Sequence, residues 1–329
     1  TMAENRKVML KKKLLPLLLS FCLLLTACGQ AAPEQHSERL KIVTTVFPAY
    51  DFARAAAGEL ADVTLLLPPG TESHSYEPTP ADILAVRDCD LFIYLGGESD
   101  AWVETILSAI EPRGEQLRMI DCVPLLEEET VEGMQAEIGH NHEEEHHDHG
   151  EGKVTGLDEH VWTAPANAAA ITLAVGECLA ELDADHAETY RTCASDYAEK
   201  LKALDGEFAA FFGTERKPMV FGDRFPLRYF AAAYDLEYYA AFPGCGTQTE
   251  PSAATIAFLT EKVRREQIPV VWYIEFSNHL VADSIAEAAG TETAMFHTCH
   301  NVSPQELEDG ATYLSLMKGN LETLRKYMK

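Results

Sequence analysis

Twelve histidines stand in this chain of 329 residues, and their spacing sorts them into a cluster and scattered single residues. Five of them, His140, His142, His146, His147 and His149, fall within ten residues. They lie in the segment 127–151, which also holds ten acidic residues and no Lys or Arg. Self-repulsion and the lack of apolar surface predict a mobile loop here. Neutral imidazole is the commonest metal ligand among side chains, and His-rich tracts read as metal-capturing. A loop that only solvates has no need of five imidazoles. Two single histidines sit in loops instead: His74 in PPGTESHSYEPTP (68–80) and His160 in LDEHVWTAP (157–165). A lone loop histidine is more often a surface residue than a ligand. His160, however, is flanked by Asp158 and Glu159, carboxylates suited to orient a ligating ring, and Trp162 beside it can exclude water. His36 in the tether, and His186 and His279 at the starts of helices, read as solvent-facing.

The elements that must position these loops follow from hydrophobic pattern. Short β-rich runs at 41–46, 63–67, 91–95 and 117–120 alternate with amphipathic stretches at 49–57, 80–87 and 101–110. The second half repeats the theme, with strands predicted at 219–221, 236–241, 270–274 and 293–296. Helices are expected there at 227–234, 252–266 and 278–289, with a closing helix at 313–327. Strand and helix in alternation imply parallel sheets covered by helices, so the fold class is α/β with two parallel-sheet lobes. In such sheets ligands bind outside the carboxyl ends of the strands, where His74 lies. Between the halves, 187–212 places Tyr190, Ala194, Tyr197, Leu201, Leu204 and Phe208 at helical spacing. A helix of that length spans roughly 39 Å, enough to join two lobes stiffly. The expected organisation is an amino-terminal lobe over 40–186, a connector helix over 187–213 and a second lobe over 214–329.

Charge and the amino terminus narrow the function. With 26 basic against 53 acidic residues, the net charge of -27 argues against nucleic acid and suits attraction of cations. Residues 1–27 pair a basic start with a short apolar run too brief for a permanent span. Small residues precede Cys28, as in a lipoprotein cleavage box. The expectation is a signal over 1–27, a lipid on Cys28, a polar tether over 28–39, and a protein held outside the cytoplasm on the cell membrane. Disulfides are permitted there, and Cys245 with Cys299 is the favoured pair. The chain has no Cys-x-x-Cys and hence no thiolate zinc cluster.

Two stretches carry a resemblance to a known family. Gly70-Thr71-Glu72-Ser73-His74-Ser75-Tyr76-Glu77-Pro78-Thr79-Pro80 resembles the first metal loop of the zinc- and manganese-binding solute-binding lipoproteins of ABC transporters. Asp158-Glu159-His160-Val161-Trp162 resembles the second, and the acidic His-rich insert before it is similar to that of the zinc-specific members. The resemblance runs from residue 40 to the end. It implies a monomeric periplasmic-binding-protein-like fold, a metal site in the cleft between the lobes, and transfer of the ion to a membrane permease. The third motif departs from the pattern: Gly222 stands where the family has histidine, followed by Asp223 and Arg224. The last family ligand position meets Phe296-His297-Thr298-Cys299-His300, so His297 and His300 both stand as candidates to replace the lost ligand. Glu275, ending VVWYIE, and Asp223 are further candidates, each with a structural role as the alternative.

Three or four imidazoles suit tetrahedral Zn2+ at about 2.0–2.1 Å, whereas Mn2+ favours oxygen ligands. A zinc hydrolase is the rival reading, since bound zinc can activate water. It lacks support: no GxSxG signature occurs, and the HEEEH string at 142–146 lies in the acidic tract, without the apolar pattern of a helix that would set both histidines on one face. A surface adhesin is the other rival, and no protein-binding face is legible in the chain.

Overall fold

The computed structural model describes residues 39–71, 76–97, 100–134, 156–213, 217–244 and 251–328. The expected signal, tether and lipidated Cys28 lie outside these residues, as do His36, His74 and the five histidines of 140–149. Among the described residues no helix is long and apolar enough to cross a membrane.

Two four-stranded parallel sheets organise the chain. The first orders β1 (Leu40–Thr44), β2 (Ala61–Leu65), β3 (Leu91–Tyr94) and β4 (Glu115–Arg118) as β2-β1-β3-β4. Its helices are α1 (Phe47–Ala57), α2 (Pro80–Asp88) and α3 (Ala101–Ala109). The start of α2 is written in TPAD: Thr79 accepts from the Asp82 N–H, and Asp82 accepts from the Thr79 N–H at 2.7 Å. This reciprocal cap satisfies two orphan donors. β4 begins and ends two residues earlier than expected, because Met119–Cys122 tighten into a 3-10 turn.

The second sheet orders β5 (Met219–Phe225), β6 (Tyr238–Pro243), β7 (Val270–Ile274) and β8 (Glu292–Phe296) as β6-β5-β7-β8. Around it lie α6 (Arg228–Ala233), α7 (Ala253–Glu266), α8 (Leu280–Ala289), α9 (Pro304–Glu308) and α10 (Tyr313–Tyr327). Helix α8 starts two residues later than its pattern predicts. Both Phe276 and His279 adopt left-handed backbone, which a right-handed helix cannot include.

A helical hairpin joins the lobes: α4 (Pro165–Leu182), a 3-10 turn at Ala184–His186, then α5 (Ala187–Phe212). The two helices approach so closely that a Cβ on Gly176 would stand 2.4 Å from the Ala194 Cβ. Only glycine permits that contact. Helix α5 reaches both lobes. Tyr197 donates to Asp51 of α1 at 2.5 Å, and Phe208 packs edge-on to Phe230 of α6 at 5.1 Å. Its buried Leu201, Leu204 and Phe208 each contribute roughly 1.5–3 kcal/mol by burial. One apolar core runs through the hairpin from Phe52 to Phe296.

Part of the acidic insert, expected to be a mobile loop, packs instead; residues 135–151 lie outside the described residues. Residues 127–134 pack: Glu127 bridges Leu157, Tyr238 donates to Glu129 at 3.1 Å, and Arg228 pairs with Glu129 at 3.3 Å. Charge complementarity with the second lobe overcomes the repulsion expected from composition.

Candidate metal centre

His160 is set by the residues that precede it. The Asp158 carboxylate accepts from the His160 backbone N–H at 2.8 Å and lies 3.1 Å from Nδ1. Both side chains are almost fully buried. A carboxylate only accepts, so it holds the proton on Nδ1 and directs the lone pair to Nε2, the state a metal ligand needs. Tyr229 of α6 steadies the stem, donating to the Asp158 carbonyl at 2.9 Å and accepting from the Leu126 N–H at 3.1 Å. After the ring, the 3-10 turn Val161–Thr163 closes with Thr163 donating to the His160 carbonyl.

His300 arrives from the second lobe, on the loop that leaves β8. Glu275, just beyond β7, staples this loop: its carboxylate accepts from the Thr298 N–H at 2.7 Å, the Thr298 hydroxyl at 2.5 Å and the His300 N–H at 3.3 Å. The first lobe holds it from the other side. Trp162 Nε1 donates to the Thr298 carbonyl at 2.9 Å, and the Phe47 N–H donates to the His300 carbonyl at 3.2 Å. The His160 and His300 rings come within 6.2 Å, centroid to centroid, and the Trp162 ring lies 5.4 Å from each. Both histidines line one cavity of about 40 Å³ with Thr71, Arg224, Glu275 and Asn301. A water needs at least roughly 10–15 Å³, so this space admits an ion with little else.

The other expected ligands separate. His297 is buried but does not line that cavity. Its Nδ1 accepts the Cys299 N–H at 2.9 Å, and Nε2 stands 3.6 Å from Glu306. Burial disfavours its imidazolium, yet the carboxylates of Glu275 and Glu306 outweigh burial and raise its pKa. The nearby His297 imidazole, together with hydrogen bonds from the Ser303 N–H and hydroxyl, pushes Glu306 down to about 2. Glu275 lines the cavity, but its oxygens are spent on the β8 loop. Asp223 caps backbone, accepting from the Arg224 and Ile274 N–H groups at 2.8 and 3.4 Å, and faces a neighbouring cavity. At Gly222 a Cβ would stand 2.4 Å from the Ala282 Cα of α8, so no side chain fits there. Among the described residues no three His, Cys, Asp or Glu side chains gather around one ion position.

His74 lies outside the described residues, but its loop is anchored beside the cavity. Asn301 donates from Nδ2 to the carbonyls of Pro68 and Thr71 at 2.8 and 2.9 Å, and the Gly70 N–H donates to Val302 at 2.8 Å. Residue type alone gave no reason to single out Asn301. The disulfide expected between Cys245 and Cys299 is not formed: Cys299 is a free, fully buried thiol. Its left-handed backbone belongs to the turn that presents His300. Cys245 lies outside the described residues. His186 and His279 pair with Asp183 and Asp283, away from the cavity.

A model of the family described as zinc-uptake complex component A, periplasmic, matches residues 42–327. The chain belongs to this family. Within it, the zinc-binding lipoprotein AdcA of Streptococcus pneumoniae is 31% identical over 316 residues, 96% of this chain and 61% of its own length. The chain therefore spans about 61% of the length of that relative. The high-affinity zinc uptake system protein ZnuA of Bacillus subtilis is 29% identical over 314 residues, covering 92% of this chain and 93% of its own. Two solved structures share the family fold. The Zn(II)-bound ZnuA-like domain of pneumococcal AdcA superposes with a TM-score of 0.70 at 27% identity, over 88% of this chain and 99% of that one. The metal-dependent lipoprotein YcdH of Bacillus subtilis does so with a TM-score of 0.72 at 26% identity, over 88% and 100%. Two parallel-sheet lobes bridged by a long helix are thus this family's architecture in the present chain.

Proposed function

We propose that this chain captures Zn2+ outside the cytoplasm, in the cleft between its lobes, and hands the ion to the permease of an ABC transporter. The observation that carries the reading is the meeting of His160 from one lobe and His300 from the other on a single small cavity. His74, whose loop is tied by Asn301 to the His300 loop, supplies the third imidazole. Three imidazoles with an open fourth position suit Zn2+ over Mn2+. The zinc-binding names of relatives that match nearly the whole chain favour the same ion.

The remaining parts follow from this role. Lipid on Cys28 anchors the protein at the membrane, and 28–39 tethers the lobes. Histidines 140–149 gather zinc weakly and raise its concentration near the cleft. Continuity of the core through α4 and α5 restricts the lobes to a small shift when the ion is released. The chain works as a monomer and performs no chemistry on its cargo.

Calorimetric zinc titration of the chain without residues 1–27 tests the reading. One tight site is expected, lost in His74→Ala, His160→Ala and His300→Ala, and retained when 140–149 are deleted with lower total loading. Native affinity in His160→Ala or His300→Ala would end the proposal.

A further inference from the structure

The two histidines of the cavity are framed by bonds that run through residues outside it. Tyr313, the first residue of α10, is fully buried and does not line the cavity. Its hydroxyl donates to the Trp162 carbonyl at 2.7 Å, two residues beyond His160. Its backbone N–H donates to the Asp51 carboxylate of α1 at 3.0 Å, and Tyr197 of α5 donates to the same carboxylate. An N–H in the first turn of a helix has no partner within that helix. Asp51 thus satisfies a donor that burial would otherwise leave unpaired.

These bonds close on themselves. The Trp162 indole donates to the Thr298 carbonyl at 2.9 Å, two residues before His300. The His300 carbonyl accepts from the Phe47 N–H at the start of α1, one turn before Asp51. A circuit therefore runs from α1 through Tyr313, Trp162 and the His300 loop back to α1. Phe47, Asp51, Trp162, Thr298 and Tyr313 are all at most 4% exposed, so water is not at hand to replace a lost member. The Trp162 ring stands 5.4 Å from each histidine ring, and its placement sets the gap between them.

We propose that Tyr313 is a positioning residue for metal capture: acting through Trp162, it fixes the spacing of the His160 and His300 rings. This deepens the metal-capture reading and rests on it. Ligands already in place spare the ion the cost of ordering them. Affinity then depends on a hydroxyl that never meets the metal.

Two measurements on the chain without residues 1–27 test the proposal. Tyr313→Phe removes one oxygen and keeps the ring that packs edge-on to Phe52. The first measurement is hydrogen exchange at the indole N–H groups of wild type and Tyr313→Phe, followed by NMR without metal. The Trp162 N–H should exchange about tenfold faster in the variant. The fully buried Trp272, outside the circuit, should keep its wild-type rate. No change at Trp162, or equal acceleration at both probes, overturns the proposal, because general loosening moves both. The second measurement is titration against a competing zinc chelator, on Tyr313→Phe, Trp162→Phe and the double variant. Each single change should weaken zinc binding by about tenfold, within the span for residues that support metal ligands. The double variant should lose little more than either alone, since a circuit opens only once. Native affinity in Tyr313→Phe overturns the proposal, and so does a double loss equal to the product of the single ones. Should one variant not fold, the other is judged by the same affinity criterion. A wild-type chain that binds no zinc sinks the metal cleft and this proposal with it, a failure distinguishable from the others.

Discussion

Asn301 donates from one amide nitrogen to the carbonyl of Thr71 at 2.9 Å, tying the second lobe's last loop to the loop that carries His74. The same nitrogen reaches the Pro68 carbonyl, so both bonds are lost together if the amide is removed. Asn301→Ala should weaken zinc binding by about tenfold or more without deleting a ligand, since supporting residues of metal sites carry effects of roughly 10–100-fold. Competitive titration with a zinc chelator measures this. Unchanged affinity would show that the two loops do not depend on each other.

A similar loss is expected at Asp158, by a different route. Asp158→Asn can present an amide hydrogen to Nδ1 and so favour the wrong tautomer of His160. Zinc affinity should fall by roughly 10–100-fold while the melting temperature in the absence of metal changes less than in Asp158→Ala. An equal loss of stability in both variants would assign Asp158 to folding alone.

Restoring the family histidine at 222 should fail. The space a side chain needs is filled by the Ala282 backbone, within 2.4 Å of the would-be Cβ. Gly222→His is expected to cost about 1–3 kcal/mol or more by overpacking and to add no zinc affinity. Urea unfolding beside zinc titration decides it, and a stable variant with tighter zinc binding would contradict the packing seen here.

Buried His297 and half-buried Glu306 predict a pH window. The His297 pKa is raised from 6.5, so its contribution is complete below 6.5 and disappears as pH climbs through the raised value. Glu306 is lowered from 4.5 to about 2, so its contribution is present above 4.5 and lost as pH falls toward 2. Together they stabilise most between about 4.5 and 6.5. Glu306→Gln should lower the melting temperature most at pH near 5.5, with the difference from wild type narrowing at alkaline pH. A pH-independent difference would remove the ion pair from the account.

Sequence by itself determined the layers and the long helix. Periods of two and 3.6 residues are local properties, and Tyr190, Leu201 and Phe208 point one way whatever the rest of the chain does. It also marked the loops of His74 and His160, because their turn residues and flanking acids lie within a few positions. Tertiary structure alone placed His300, and not His297, on the cavity that His160 lines. That placement depends on the left-handed turn at Cys299 and on Glu275, more than twenty residues away, which pulls Thr298 and His300 into line. Glu275 and Asp223 looked like ligands by type and became staples for backbone once their strands were paired. That no side chain fits at 222 follows from helix α8 pressing on the strand. Patterning is written along the chain, but which polar atom meets which is a matter of distances between segments that sequence order keeps apart.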